Sequence, residues 1–139
     1  MLGKLSILIY SHQDSLFKLL DKQRQSFHDV LMFPVQHAKS AVLFMKDQDL
    51  YPLIVVADES AEILALKMTL KELKHHNETV FAIYTGNFSS KNLALSFDCG
   101  FDEFLAAPVN LKQIIQLASK KVLASNIKQH FNTKNIENQ

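Results

Sequence analysis

Pro52-Leu53-Ile54-Val55-Val56-Ala57-Asp58 is the stretch on which the reading of this chain turns. Five apolar residues, three of them β-branched, run without a break into a carboxylate. A run this short and this uniformly apolar fits a strand buried on both faces, and such strands belong to parallel sheets covered by helices. Working outward, four more runs read the same way: Leu5–Tyr10, Val30–Phe33, Val80–Tyr84 and Glu103–Ala106. Segments of helical period alternate with them. Ser15 to about Phe27 places Leu16, Leu19, Leu20 and Phe27 on one face, and Gln36 to Lys46 does so with Ala38, Ala41, Val42 and Met45. Ser60 to His75, Ser89 to Cys99 and Asn110 to about Ser125 complete a set of five helices. Gly100 reads as a helix stop and Asn110 as an N-cap. Strand and helix in strict alternation predict an α/β fold with a parallel sheet between two helical layers.

At 139 residues, 47% hydrophobic, with three Gly and three Pro, the chain has the size and apolar content of one domain that folds alone. The expected domain is 1–125, and 126–139 is a polar, Asn-rich tail. Fifteen basic residues against fourteen acidic ones, with Arg24 as the one arginine, leave no basic footprint for nucleic acid or an anionic membrane. The single cysteine, Cys99, permits neither an internal disulfide nor a cysteine-based zinc site, and reads as a small buried residue. Leu5–Tyr10 is shorter than a signal-peptide core, and no run reaches the roughly 18 apolar residues of a membrane span. A cytoplasmic location is the expectation. No Gly-rich phosphate loop, Gly-x-Ser-x-Gly elbow or His-Glu-x-x-His occurs, so no enzyme is indicated.

In open parallel sheets the functional crevice lies beyond the carboxyl ends of the strands. The residues to read there are Ser11-His12-Gln13-Asp14, Asp58-Glu59-Ser60, Thr85-Gly86-Asn87 and Ala107-Pro108. Asp58 at a strand-to-helix junction also suits a plain helix cap. His12 beside Ser11 reads as a solvated histidine as readily as a ligand, and His75-His76, adjacent on a helix, point in different directions and make no metal pair.

These segments carry a resemblance. Pro52 to Asp58, then Tyr84-Thr85-Gly86, then Gly100-Phe101-Asp102-Glu103-Phe104-Leu105-Ala106-Ala107-Pro108 look like the receiver domain of bacterial response regulators, over roughly residues 4–125. The resemblance implies a flavodoxin-like, receiver-like five-stranded parallel sheet of order 2-1-3-4-5 with five helices in a three-layer α/β/α sandwich. In that family a histidine kinase supplies a phosphoryl group to an aspartate at the end of the third strand. This position falls on Asp58, six residues after Pro52; the switch hydroxyl falls on Thr85 and the aromatic switch on Phe104.

Three other positions depart from the pattern. The acidic pair that holds Mg²⁺ in the family falls on Ser11 and His12, and the lysine falls on Ala107. The Met-Pro and Asp-Gly turn that usually follows the aspartate is missing after Asp58. Phosphoryl transfer depends on positioning and on positive charge at the phosphoryl oxygens, so these substitutions point away from Mg²⁺-assisted phosphorylation. The resulting expectation is a stand-alone, degenerate receiver-like module in signal transduction, without cofactor, that binds a protein partner or forms a homodimer through its fourth helix, fifth strand and fifth helix. Phe88, Phe97, Phe101, Phe104 and Val109 cluster in that part of the sequence. Two alternatives stand beside it: a working acceptor with Asp58 phosphorylated and Mg²⁺ held by a substitute such as Asp14 or Glu59, and a small-molecule sensor using the emptied crevice.

Overall fold

The computed structural model describes residues 5–27, 29–47, 53–76 and 80–121. Five strands, β1 (Leu5–Tyr10), β2 (Val30–Val35), β3 (Leu53–Asp58), β4 (Val80–Gly86) and β5 (Glu103–Ala106), form one sheet of order β2-β1-β3-β4-β5. Every neighbouring pair is parallel. The helices are α1 (Ser15–Gln23), α2 (Ala38–Asp47), α3 (Lys67–His76), α4 (Ser90–Asp98) and α5, helical from 111 to 121. This is the flavodoxin-like architecture expected from the alternating runs. None of these helices is long and apolar enough to cross a membrane. The polar stretch 126–139 lies outside the described residues.

The period-2 geometry of the strands sorts each apolar run into two cores. Ile7, Ile9, Ile54, Val56 and Ile83 face α1 and α5, where Leu16, Leu20, Leu111 and Ile114 meet them. Leu8, Tyr10, Val55, Ala57, Ala82 and Tyr84 face the other way, toward Ala41 and Met45 of α2 and Leu70 of α3. β1 is buried at every position, and each fully buried Ile or Leu side chain is worth about 1.5–3 kcal/mol relative to exposure. β2 is an edge strand and accordingly half wet. Leu31 is exposed, and Pro34, which has no N–H to donate, is tolerated there, so the strand runs past the predicted Phe33 to Val35.

Two helices differ from the sequence reading. The first ends at Gln23, not Phe27: residues Arg24–Ser26 tighten into a 3-10 turn, and Gln23 instead turns its side chain to accept the Leu111 N–H at 2.6 Å, tying α1 to α5. The third does not start at Ser60. The Ser60 N–H bonds the Asp58 carboxylate and the Ala61 N–H the Asp58 carbonyl, which makes a turn; a 3-10 segment, Ile63–Leu66, follows, and α-geometry begins at Lys67. The cap reading of Asp58 is therefore corrected: Asp58 closes an Asx-turn and caps no α-helix.

The other boundaries follow their signals. The Ser89 hydroxyl accepts the Asn92 N–H and the Asn110 carboxamide accepts the Lys112 N–H, each at a helix start, and Gly100 takes the positive φ, 91°, that ends α4. α4 is seated unusually: its one fully buried residue is Ser96, whose hydroxyl bonds the Leu93 carbonyl. At the amino end of the strands Asp102 accepts the Ala82 N–H and pairs with Lys74 at 2.7 Å and Lys121 at 3.3 Å, joining β5 to α3 and α5. Burial pushes the Lys74 ammonium below its ordinary pKa while the Asp102 bond opposes that shift.

Candidate functional site

The strand register brings the candidate residues together. Tyr10 pairs with Ala57, so Ser11 comes level with Asp58, and Asp58 pairs with Thr85, which pairs with Leu105. Ser11, Asp58 and Thr85 thus continue the sheet face that carries Ile9, Val56 and Ile83, one step beyond the core, between α1 and α5. Here Asp58 and Thr85 border an open cleft of about 520 Å³ whose walls include Gln13, Leu16, Leu19, Gly86, Ala107 and Pro108.

Asp58 is held by hydroxyls. Ser11, almost fully buried, donates its Oγ proton to Asp58 Oδ2 at 2.6 Å. Ser60 donates through its Oγ, 2.5 Å, and its N–H, 3.1 Å, to Asp58 Oδ1. The Ser60 oxygen in turn accepts the His12 N–H at 2.9 Å, and the Ser11 oxygen accepts the Gln13 N–H at 3.1 Å. The loop after β1 is stitched to the loop after β3 by this network. The sequence reading places Ser60 among the crevice residues but gives it no role; a hydroxyl two residues after an aspartate at a strand end is the signal that reveals it.

Glu59 turns to the other side. Its carboxylate lies directly over Gly86 and accepts the Asn87 N–H and, at 2.9 Å, the Asn92 side-chain amide. A Cβ at position 86 would meet the Glu59 side chain and push it aside, so glycine here permits the close approach of that carboxylate and is not called for by its dihedrals. Thr85 is 2% exposed, and its Oγ1 has no hydrogen-bond partner among the described residues.

Ala107, exposed, donates its N–H to the Gly86 carbonyl and contributes a methyl group to the cleft wall. The His12 side chain is exposed, its ring 6.2 Å from that of His37. Phe104 lies on the opposite face of the sheet from the cleft, its ring 5.9 Å from Tyr84 and 6.2 Å from Phe88. The structure therefore brings Asp58, Thr85 and Ala107 to one cleft, bonds Ser11 to Asp58 beside it, and sets Phe104 apart from it. Of the predicted aromatic cluster, Phe101 and Val109 belong to the core, whereas Phe88 and Phe97 are exposed, at 75% and 56%. Cys99 is buried, and burial raises its thiol pKa, with the Asp98 charge adding to the effect.

No protein-family model matches this chain, and no curated protein does. Solved structures do. A two-component response regulator from Clostridium difficile superposes with a TM-score of 0.67 at 12% identity, covering 88% of this chain and 99% of that one. The signal receiver domain of an HD domain-containing protein from Pseudomonas fluorescens gives 0.66 at 11%, covering 94% and 95%. The receiver domain of a Saccharomyces cerevisiae response regulator, co-crystallised with a histidine phosphotransfer signalling protein, gives 0.65 at 16%, covering 86% and 89%. At these identities the likeness defines the fold: this chain has the flavodoxin-like fold of response-regulator receiver domains.

Proposed function

We propose that the chain is a degenerate receiver-like module that works in signal transduction by binding a protein partner, without Mg²⁺-assisted phosphorylation of Asp58 and without an enzymatic step of its own. The observation that carries this reading is the pair of serine hydroxyls on Asp58. Both carboxylate oxygens already accept hydrogen bonds, and the end of β1 offers Ser11 and main chain in place of acidic side chains. A divalent magnesium ion prefers carboxylates and water in octahedral array, whereas the Asp58 oxygens are taken by serine hydroxyls and Glu59, the other carboxylate in the cleft lining, is turned to Gly86, Asn87 and Asn92. No lysine, arginine or histidine lines the cleft among the described residues, so no side-chain cation stands ready for a phosphoryl group.

The partner surface in this reading is the face of α4, β5 and α5, the same face expected for a homodimer. Phe88 and Phe97 support it, because large aromatic side chains left in water are the usual anchors of protein interfaces. The yeast receiver domain above was crystallised with a protein partner, which fits a protein rather than a nucleic acid or a membrane as the ligand of such a fold.

The test is incubation with a small phosphodonor and Mg²⁺, read by intact mass. The native chain is expected to stay unmodified at Asp58. The triple variant Ser11→Asp, His12→Asp, Ala107→Lys is expected to gain Mg²⁺ affinity and phosphorylation, since one missing electrostatic contact alone slows such chemistry by about two to three orders of magnitude. Stoichiometric, Mg²⁺-dependent phosphorylation of the native chain would overturn the reading in favour of a working acceptor.

A further inference from the structure

The large apolar side chains left in water are unevenly placed. Among the described residues α1 and α5 expose none, whereas the layer of helices on the other side of the sheet exposes Leu43 of α2, Met68 of α3, Leu64 just before α3, and Phe97. Leu43 stands two residues from both Ala41 and Met45, which α2 buries, and Met68 stands two residues from both Leu66 and Leu70, which are buried beside them. Two residues are a little over half a helical turn, so both exposed side chains point away from the sheet. α2 packs beside α3 and the 3-10 segment before it, which makes the two side chains neighbours on one outer surface.

The two helices carry the same short pattern. Leu43-Phe44-Met45-Lys46-Asp47 and Met68-Thr69-Leu70-Lys71-Glu72 each read as an exposed apolar residue, two residues facing inward or sideways, then a lysine and an acid. Residues three and four further along a helix flank the first on either side of its stripe. Each exposed apolar side chain therefore has a cation on one side and a carboxylate on the other. None of these four charges has an ion-pair partner among the described residues.

α2 and α3 each return between parallel strands and so run in the same direction. A two-fold axis along the seam between them lays α2 of one copy on α3 of the other, parallel, and repeats the contact by symmetry. Leu43 then meets Met68 of the second copy. About 4.5–6 Å further along, Lys46 faces its Glu72 and Asp47 faces its Lys71. A two-fold axis across the helices would instead stack α2 on α2 head to tail and bring Lys46 toward Lys39 of the second copy, which like charge opposes. The four flanking charges sum to zero, so the surface is complementary to itself and not to a strongly charged partner. Leu43, Leu64 and Met68 together leave on the order of 300–400 Å² in water, the size of patch that marks an interaction site but short of the roughly 800 Å² a side of a standard interface. The contact is accordingly weak and reversible.

We propose that the outer face of α2 and α3 is a self-association surface on which a second copy of this chain docks by two-fold symmetry, Leu43 against Met68, Lys46 against Glu72 and Asp47 against Lys71. The face of α4, β5 and α5 stays open to the protein partner, and nothing in the contact depends on the chemistry of Asp58.

The experiment is sedimentation equilibrium of the full chain over a concentration series. A monomer–dimer equilibrium with a Kd on the order of 10–100 μM is expected. Met68→Gln, at an exposed position where a helix accepts glutamine, should weaken it about tenfold or more. Lys46→Glu and Glu72→Lys should each weaken it about tenfold, because each sets like charges together in both symmetry-related contacts, and the double variant should restore it. Phe97→Ser should leave it unchanged, which separates this face from the face of α4, β5 and α5. A chain that stays monomeric up to about 1 mM, association that runs on past the dimer, a double variant no tighter than the single ones, or a dimer lost in Phe97→Ser and kept in Met68→Gln would each overturn the proposal.

Discussion

Ser11 and Asp58 lie 47 residues apart in sequence and share a 2.6 Å hydrogen bond at the carboxyl end of the sheet. Ser11 is the buried partner, and the same oxygen that donates to Asp58 accepts the Gln13 N–H. Replacing Ser11 by Ala leaves the Gln13 amide and one carboxylate oxygen without their partner. The expected loss is about 1–2 kcal/mol of unfolding free energy, measured by denaturant titration, with no change in the cooperativity of the transition.

Gly86 and Glu59 make a second such pair, and their coupling is measurable. Gly86→Ala puts a methyl group where the Glu59 carboxylate lies and displaces it from Asn87 and Asn92. The single substitution is expected to cost about 0.5–1 kcal/mol. In a Glu59→Ala background, where no carboxylate is displaced, most of that cost should disappear. A full double-mutant cycle by chemical denaturation gives the answer, and additive effects would refute the pairing.

The buried tyrosines set an alkaline limit. Burial raises the phenol pKa of Tyr84 above 10.0, with the charges of Glu59, Asp58 and Cys99 adding to the shift; burial raises that of Tyr10 as well. The folded chain then holds these protons more tightly than the unfolded chain, which ionises first as the pH passes 10.0. Their contribution to stability is therefore constant below about pH 9 and falls as pH rises beyond 10. Tyr84→Phe keeps the ring contacts with Phe101 and Phe104 and should flatten that fall, as followed by unfolding free energy against pH.

The fold was legible because burial on both faces leaves an unmistakable mark: Leu53–Ala57 is apolar throughout and Leu5–Tyr10 is apolar but for Ser6, and such runs pair in parallel sheets covered by helices. The ends of helices were less so. The Asp58-to-Ser60 turn competes with the start of α3 through side-chain bonds that hydrophobic period does not register, and Gln23 leaves its helix to serve α5, a contact 88 residues distant. At the site, the crevice residues followed from the rule that strand ends converge, but their division of labour did not. That Ser60 joins Ser11 on Asp58 while Glu59 turns away to Gly86 depends on side-chain directions fixed only when the two loops meet.

Ser96 at the centre of α4 has one more consequence. The other described helices bury leucine, isoleucine, alanine or methionine side chains, whereas this helix presents a hydroxymethyl group to the sheet, with Leu93 and Leu95 only half covered and Phe97 in water. Undocking α4 forfeits less apolar burial than undocking a helix anchored by leucine or isoleucine, as α1 and α5 are. Sub-global opening of the native state is therefore cheapest at α4, and the excursions of this molecule away from its ground state begin on the helix that carries Phe97.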